Sequence, residues 1–162
     1  MSLASLLTAE STDKQLYELA NRLCILLEPI VFKSELYKLP KPSEPRNYNY
    51  IIHLETPQHW VALLIDNRGH KAYYFNSFSD YFGDIPQEII DFTKKSKCVL
   101  YTSDKATQNP HSGSCGQYCV LWLKYMNLPT NDVEDFDSYL KLFRDMGPDI
   151  LKYKEKNPDL PY

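Results

Sequence analysis

The sequence predicts an α+β fold with a central mixed sheet packed against helices, and the hydrophobic period supports this class. Apolar residues recur at helical spacing from Ser11 to Ile30 and again from Cys115 to Met126. Between these segments, residues 49–75 are rich in β-branched and aromatic side chains, as strands are. A chain of 162 residues can bury a substantial core. We therefore expect a single domain over residues 1–162.

The first predicted element is an amphipathic helix from Ser11 to Ile30. Either Ser11 or Thr12 can cap its start, and Pro29 lies near its end. A leucine-rich stripe is expected to face the core: Leu16, Leu19, Ala20, Leu23, Leu26 and Leu27. Residues 39–47 (LPKPSEPRN) are polar and rich in proline, which predicts a surface loop.

Strands are predicted next, at Asn49–Leu54, His59–Ile65 and Lys71–Phe75. The sequence Asp66–Gly69 is a turn signal, so the last two strands should form a hairpin. From Trp60 onward the second strand is apolar without alternation, which is typical of a central strand covered on both faces.

The remaining chain predicts short elements separated by turns. We expect a loop at 78–86, a helix at Gln87–Lys94, a strand at Cys98–Thr102, a helix at Cys115–Met126 and a final helix at Phe136–Met146 that stops at Gly147. The tail from Asp149 to Tyr162 is charged and interrupted by prolines, and its pattern is ambiguous.

Charge and composition argue against several classes of protein. The net charge is −3, and no cluster of lysine and arginine provides a basic face for nucleic acid. The apolar runs are too short to span a bilayer, so we expect no membrane association. The N-terminus lacks the basic region of a signal peptide. The four cysteines are therefore expected to be free thiols in a reducing compartment.

The most informative stretch leads into the helix at Cys115. Residues 108–114 (QNPHSGS) are turn-forming, and Ser114 can cap the helix, so Cys115 would occupy its first position. Unpaired backbone N–H groups and the helix dipole stabilise a thiolate there. Gly116 leaves space beside the sulfur for a substrate backbone. This arrangement predicts that Cys115 is a nucleophile.

A cysteine nucleophile needs a general base, and histidine is the usual choice. His59 begins the predicted central strand, from which its imidazole can project toward the Cys115 helix. His53 lies inside a strand, His70 in a turn and His111 in a proline- and glycine-containing loop. A base should be held by a rigid element, so His59 is the preferred candidate.

The base must in turn be oriented, and the negative charge of the intermediate stabilised. Asn76 follows the strand returning from the hairpin, at the edge where His59 begins its own strand, and Asp80 in the next loop is the carboxylate alternative. We expect the Asn76 side-chain oxygen to accept a hydrogen bond from the His59 ring. Gln108 can supply a side-chain amide that forms an oxyanion hole with the Cys115 backbone N–H.

A zinc site is the competing hypothesis for the same cysteines. His111, Cys115 and Cys119 have suitable spacing, and Cys98 would be the fourth ligand. The sequence has no C-x2-C pair, however, and cysteines four apart on a helix are usually packing residues. We therefore expect no metal.

Together these residues resemble a known family. The blocks HW (59–60), YFNSF (74–78), QNP (108–110) and SCGQYC (114–119) are similar to those of the adenovirus maturation protease, adenain. More broadly, the order of histidine, acid or amide, glutamine and cysteine resembles the clan that includes the SUMO-specific proteases. The resemblance covers residues 49–126. It implies a single-domain cysteine protease with its nucleophile at the N-terminus of a central helix.

The resemblance also implies a role for each matching residue. Cys115 would be the nucleophile, His59 the base and Gln108 the oxyanion donor. Asn76 stands where adenain has Glu and the SUMO proteases have Asp, and an amide cannot neutralise an imidazolium. Cys98 stands near the adenain cysteine that forms a disulfide with an activating peptide, which implies such a peptide as a partner here.

The expected function is that of a monomeric cysteine endopeptidase that cleaves viral capsid precursor proteins, in the virion and the host cell. Compact size favours a viral enzyme, of a virophage or a related adenovirus-like DNA virus. No cofactor is needed for the chemistry, and the net charge argues against the DNA cofactor that adenain uses. One alternative is an isopeptidase for a ubiquitin-like modifier. The other is an inactive peptide-binding module, which Asn76 favours but the presence of Cys115, His59 and Gln108 does not.

Overall fold

The structure is a computed structural model, and it describes residues 12–55, 58–77, 84–102, 115–128 and 137. These form three α-helices, one 3₁₀ helix and five strands. In chain order they are α1 (Asp13–Arg22), β1 (Val31–Phe32), the 3₁₀ helix (Lys33–Lys38), β2 (Asn47–His53), β3 (Trp60–Asp66), β4 (Lys71–Phe75), α2 (Gln87–Lys95), β5 (Val99–Tyr101) and α3 (Cys115–Met126).

The strands form a mixed sheet in the order β1-β2-β3-β4-β5. Strand β3 pairs antiparallel with both β2 and β4. The two short edge strands each pair in parallel with their inner neighbour, β1 with β2 and β5 with β4. The predicted α+β class with a central mixed sheet is confirmed, and β3 is its central strand.

Both faces of β3 are covered, as its apolar sequence predicts. Ala62 and Leu64 pack in the cluster that contains α1 and α3. Val61, Leu63 and Ile65 point to the other face, in the cluster that contains α2 and the 3₁₀ helix. The described elements therefore form three layers, with the sheet in the middle.

Helix α3 is the most enclosed element, because every residue from Gly116 to Leu123 is buried. A helix that is apolar all round belongs inside a protein, and its sequence CGQYCVLWLKYM has only Lys124 as a charged group. Trp122 stacks on Phe75 at the end of β4, with ring centroids 5.1 Å apart.

The direction of α3 follows from side chains at its C-terminal end. Asn127 accepts a hydrogen bond from Asn47 at 2.9 Å and donates one to Asn49 at 2.8 Å. Asn47 pairs with Asp66, the last residue of β3. The C-terminal end of α3 therefore lies at the end of the sheet where β3 ends. We call this end, which carries Asn47, Asn49 and Asn127, the asparagine end.

At the opposite end of the sheet, β3 begins and β4 ends. From Cys115 to Asn127 the helix rises about 18 Å, and β3 is about 20 Å long. The N-terminus of α3 consequently lies toward this second end of the sheet. We call it the histidine end, because His59 precedes β3 there.

The first helix is shorter than predicted. Thr12 caps it as expected, with Gln15 completing a capping box, but the helix ends at Arg22 rather than Ile30. Cys24 adopts a left-handed conformation with φ of 59°. The chain then turns along the sheet, where Leu27 forms an isolated bridge with Asn49. Pairing with β2 has replaced the last helical turns.

Most other boundaries agree to within two residues, and β4 begins and ends as predicted. Strand β1 and the 3₁₀ helix were not predicted. The predicted final helix Phe136–Met146, its stop at Gly147 and the tail lie outside the described residues, apart from position 137. Among the helices that are described, none has both the length and the apolarity to cross a membrane.

Candidate active site

His59 is held at the histidine end by its backbone. It directly precedes β3, and its carbonyl oxygen accepts a hydrogen bond from the Leu54 N–H at 2.9 Å, which extends the ladder between β2 and β3. The residue is only 1% exposed. The sequence-predicted base therefore lies on a rigid element, as its proposed role requires.

Asn76 lies beside this histidine. The antiparallel pairing of β3 with β4 brings the end of β4 next to the start of β3, and Asn76 directly follows β4. Its Oδ1 lies 2.7 Å from His59 Nε2. The predicted hydrogen bond between the two side chains is present. Asp80, the rival for this position, lies outside the described residues.

The hydrogen bond defines the form of the imidazole. Oδ1 of an amide can only accept, so Nε2 of His59 must carry the proton and donate it. Nδ1 is then the ring nitrogen that can accept a proton. This is the tautomer that a general base needs when its other nitrogen is held by an orienting residue.

The surroundings keep this imidazole neutral. Burial lowers the pKa of His59 below its ordinary value, because the charged form loses its hydration. The hydrogen bond to Asn76 raises the pKa in part, and the nearby His53 lowers it further. An amide brings no negative charge to offset the burial. At neutral pH the ring is therefore in its basic, uncharged form.

Cys115 is the first residue of α3, as the sequence predicts, and its side chain is half-buried. The direction of the helix places this N-terminus toward the histidine end. The predicted cap Ser114 and the predicted oxyanion donor Gln108 lie outside the described residues. Their roles remain predictions.

The second cysteine of the helix has a different environment. Cys119 lies one turn after Cys115 and is completely buried, which raises the pKa of its thiol well above the ordinary value. A thiol of this kind is unreactive. Its position in the core cluster agrees with a packing role. All four cysteines are free thiols, and Cys24 is exposed after the end of α1.

Cys98 lies far from these residues. It precedes β5 and packs on the face of the sheet opposite α3. Its thiol is close enough to Asp66 for an electrostatic interaction with the carboxylate. This is the asparagine end. Its sulfur donates a hydrogen bond to the Ser96 carbonyl oxygen at 3.4 Å, and burial followed by Asp66 raises the pKa of the thiol.

A metal site finds no support in the part of the chain that the structure describes. There, no group of three or more His, Cys, Asp or Glu side chains is arranged to hold a metal ion. Cys98 and Cys119 lie on opposite faces of the sheet, so they cannot share the zinc that their spacing suggested. His111, the remaining predicted ligand, lies outside the described residues.

A groove of about 500 Å³ adjoins the histidine end and was not predicted. Its aromatic wall is a row of rings on three strands. The His53 ring lies edge-on to the Trp60 ring, with centroids 4.7 Å apart, and to the Phe32 ring, with centroids 5.5 Å apart. Phe32 is 50% exposed, which is unusual for a large apolar side chain. Trp60 directly follows His59, so the groove lies at the same end of β3 as the base. The HW dipeptide was the one sequence signal for it.

Comparison with known proteins identifies a family. The model of the Ulp1 protease family, C-terminal catalytic domain, matches residues 46–147. The ASFV pS273R protease structure is similar at a TM-score of 0.44 and 20% sequence identity. The match covers 61% of this chain and 43% of the ASFV protease chain. The structure of Chlamydia trachomatis effector protein Cdu1 bound to ubiquitin has a TM-score of 0.42, with 14% identity over 98% of this chain and 79% of its own. The chain spans 43% of the length of the ASFV protease.

Proposed function

Because the chain belongs to the Ulp1 protease family, whose members are cysteine proteases acting on protein substrates, we propose that it is a viral maturation endopeptidase that cleaves capsid precursor proteins. Cysteine proteases of this family need no cofactor for catalysis. We place its activity in the virion and the host cell interior, where free thiols persist. The protease would act as a monomer.

One observation carries the assignment of the chemistry. The Nε2 to Oδ1 distance of 2.7 Å joins His59 and Asn76 at the edge of the sheet toward which α3 directs Cys115. A nucleophile, a base and an orienting group are the minimal set for cysteine-based acyl transfer. The adenain-like sequence blocks around these residues support the choice of a viral substrate.

The reaction would proceed in two steps. His59 Nδ1 takes the thiol proton as the Cys115 sulfur attacks the scissile carbonyl, and then returns this proton to the leaving amine as the C–N bond breaks. The same nitrogen then takes a proton from water as the water oxygen attacks the thioester carbonyl. The C–S bond breaks, the carboxylic acid product leaves, and His59 returns the proton to the Cys115 sulfur. Gln108 and the Cys115 backbone N–H would bind the negatively charged oxygen of each tetrahedral intermediate.

The groove supports an extended substrate. Its aromatic wall runs from Trp60, the residue after the base, to the exposed Phe32. An apolar side chain upstream of the scissile bond can pack there and lose its hydration. Phe32→Ala should raise KM several-fold with little change in kcat. Tyr37→Ala is the matched control, since Tyr37 is 69% exposed and does not line this groove.

An isopeptidase acting on a ubiquitin-like modifier is the second candidate function. Membership in the Ulp1 family favours it, and the groove suits an extended C-terminal tail equally well. The two functions differ in what lies beyond that tail. An endopeptidase cleaves inside a precursor, whereas an isopeptidase also binds the folded modifier.

The deciding experiment offers both substrates. The protein and its Cys115→Ala variant are incubated with a candidate capsid precursor protein, and new termini are mapped by mass spectrometry. In parallel, ubiquitin and SUMO carrying C-terminal electrophiles test covalent labelling of Cys115. Precursor cleavage without labelling supports the endopeptidase. Labelling with an intact precursor establishes the isopeptidase. If neither cleavage nor labelling occurs, the inactive binding module is favoured.

We also propose that Cys98 receives an activating peptide through a disulfide. The position of Cys98 at the asparagine end, distant from His59, means that such a peptide would act by stabilising the fold rather than by entering the site. Its raised thiol pKa makes exchange slow at neutral pH, because the thiolate is the attacking species. The Cys98 thiolate would attack a disulfide-bonded cysteine of the peptide, form the new disulfide and release the other half as a thiol. Cys98→Ala should leave the basal activity unchanged and abolish the activation by a peptide added in this disulfide form.

A further inference from the structure

The groove at the histidine end carries charge of one sign. Its charged lining side chains are Asp13, in the first turn of α1, and Glu35, in the 3₁₀ helix. His53 also lines it, and burial lowers the pKa of this imidazole, so the ring is uncharged at neutral pH. Among the described residues that line the groove there is no lysine or arginine. The groove therefore combines an aromatic wall with two carboxylates.

Both carboxylates are available to a ligand. Asp13 Oδ1 accepts a hydrogen bond from the Lys14 backbone N–H at 3.0 Å, and within the described part of the chain Asp13 forms no ion pair. Glu35 Oε2 lies 3.3 Å from Lys38 Nζ, but both side chains are about half-exposed. An ion pair between exposed side chains contributes little to stability, so a second cation can compete for Glu35.

Hydrogen bonds between its walls hold the groove in shape. The Ile30 N–H donates to the Tyr17 hydroxyl oxygen at 2.6 Å, which joins α1 to the segment before β1. The Ser34 N–H donates to Glu55 Oε1 at 3.0 Å, which joins the 3₁₀ helix to the loop after β2. The Glu55 N–H donates to His53 Nδ1 at 3.1 Å and so fixes that ring in the aromatic wall. A site that is formed in advance loses little entropy on binding.

An arginine or lysine side chain matches both features of the groove. Its methylene stem is apolar and can pack on aromatic rings, whereas its charged end is stabilised by a carboxylate. A cation over the face of a tryptophan or phenylalanine ring is also attracted by the ring itself. Phe32 is half-exposed and offers ring surface for such a contact. A purely aliphatic side chain would gain only the packing.

We propose that the groove selects substrates that carry an arginine or lysine side chain close to the scissile bond. Asp13 and Glu35 bind its positive charge. Its stem packs on Phe32 and Trp60. This inference rests on the proposed function, because it takes the groove to receive the substrate, and it names the chemical class of the side chain that is preferred. Since the groove lies at the same end of β3 as His59, the recognised side chain would be within a few residues of the cleaved bond.

The first test reads binding without turnover. Cys115→Ala protein labelled with nitrogen-15 at its two tryptophans gives two indole signals, from Trp60 in the groove and from the fully buried Trp122. The probes are acetyl-Ala-Arg-Ala-amide and the same peptide with citrulline, which has the shape of arginine without its charge. The arginine peptide should shift the Trp60 signal only, and should bind about three- to ten-fold more tightly than the citrulline peptide.

The second test removes the two charges. Asp13→Asn combined with Glu35→Gln should reduce the preference for arginine over citrulline to less than about two-fold. Glu18→Gln combined with Glu88→Gln is the matched control, since these residues also form exposed ion pairs but do not line the groove, and should retain the preference. Glu35→Lys should instead favour acetyl-Ala-Glu-Ala-amide, a gain of binding that a loss of folding cannot produce.

Several outcomes would overturn the proposal. They are equal binding of the arginine and citrulline peptides, no binding of either, and a preference that survives the removal of both carboxylates. Thermal unfolding of each variant shows whether it is folded under the assay conditions. Because binding is measured with the inactive Cys115→Ala protein, a negative result leaves the cleavage of a capsid precursor protein unaffected. Selective binding by a protein that leaves the precursor intact would contradict the proposed function alone.

Discussion

The two ends of the sheet both rely on asparagine side chains, but they use them differently. At the asparagine end, Asn127 bonds to Asn47, to Asn49 and to the Leu123 carbonyl oxygen, and Asn49 also donates to Leu26. At the histidine end, one hydrogen bond from His59 to Asn76 defines the proposed base. The first set joins α3 to β2, whereas the His59–Asn76 bond orients the imidazole.

The difference separates what holds the fold from what defines the chemistry. The hydrogen bonds of the first set contribute to stability and touch none of the proposed reacting groups. The His59–Asn76 bond instead selects the tautomer of the proposed base. Substitutions at the asparagine end should therefore act mainly on stability, and those at the histidine end mainly on turnover.

The largest expected effect is that of Cys115→Ala. Removing the nucleophile should reduce cleavage by at least about a thousand-fold, with the fold unchanged. Activity against the precursor and iodoacetamide labelling measure this directly. Cys24→Ala is the control, because Cys24 is exposed and lies after the end of α1. If Cys24→Ala or Cys119→Ala were equally inactive while folded, the nucleophile would not be Cys115.

Asn76 should give the next largest effect. Asn76→Ala removes tautomer control but leaves the nucleophile and base in place, so kcat should fall roughly ten- to a hundred-fold. Asn76→Asp should be tolerated and should increase the thiolate fraction near neutral pH, because a carboxylate stabilises the imidazolium. The ultraviolet absorbance of the thiolate measures that fraction. Unchanged activity in Asn76→Ala would transfer the orienting role to Asp80.

Asn127→Ala tests the asparagine end. The substitution removes three side-chain hydrogen bonds and deprives the buried Asn49 amide of a partner, so the unfolding free energy should fall by about 1–3 kcal/mol. Below the unfolding transition, kcat should change less than two-fold. Asn67→Ala, which loses one bond to the Glu44 carbonyl oxygen at an exposed site, should cost at most about 0.5 kcal/mol. A large loss of kcat in Asn127→Ala would show that the two ends are coupled.

The smallest expected effect is a dependence of stability on pH. Burial lowers the pKa of both His53 and His59 in the folded state from the ordinary value of 6.5. The unfolded chain therefore binds protons more readily, so stability is complete above pH 6.5 and declines as the pH falls below it. Urea midpoints at pH 7.5 and 5.5 measure the decline. It should be smaller in His53→Gln than in the wild type, and an unaltered decline would exclude His53 as a contributor.

Local sequence signals predicted the elements whose structure is local. Strand β4 begins at Lys71 as predicted, because the turn signal Asp66–Gly69 comes just before it. Cys115 begins its helix as predicted, because turn-forming residues stop before it. The pairing of Asn76 with His59 followed from hairpin geometry and the expected register. In each case one strong signal coincided with a short-range constraint.

The errors arose where distant segments decided the conformation. Leu26 and Leu27 fit a helical stripe, but Leu27 pairs with Asn49 instead, and a left-handed Cys24 ends the turn before them. The two residues of β1 form a strand only because β2 is beside them.

The complete burial of α3 has a consequence for how the protein loses activity. Backbone amides from Val120 to Leu123 are enclosed on every side, so hydrogen exchange there requires the whole domain to open. The nucleophile is attached to this most protected segment rather than to a loop that frays on its own. Thermal inactivation should therefore coincide with the cooperative unfolding of the domain instead of preceding it.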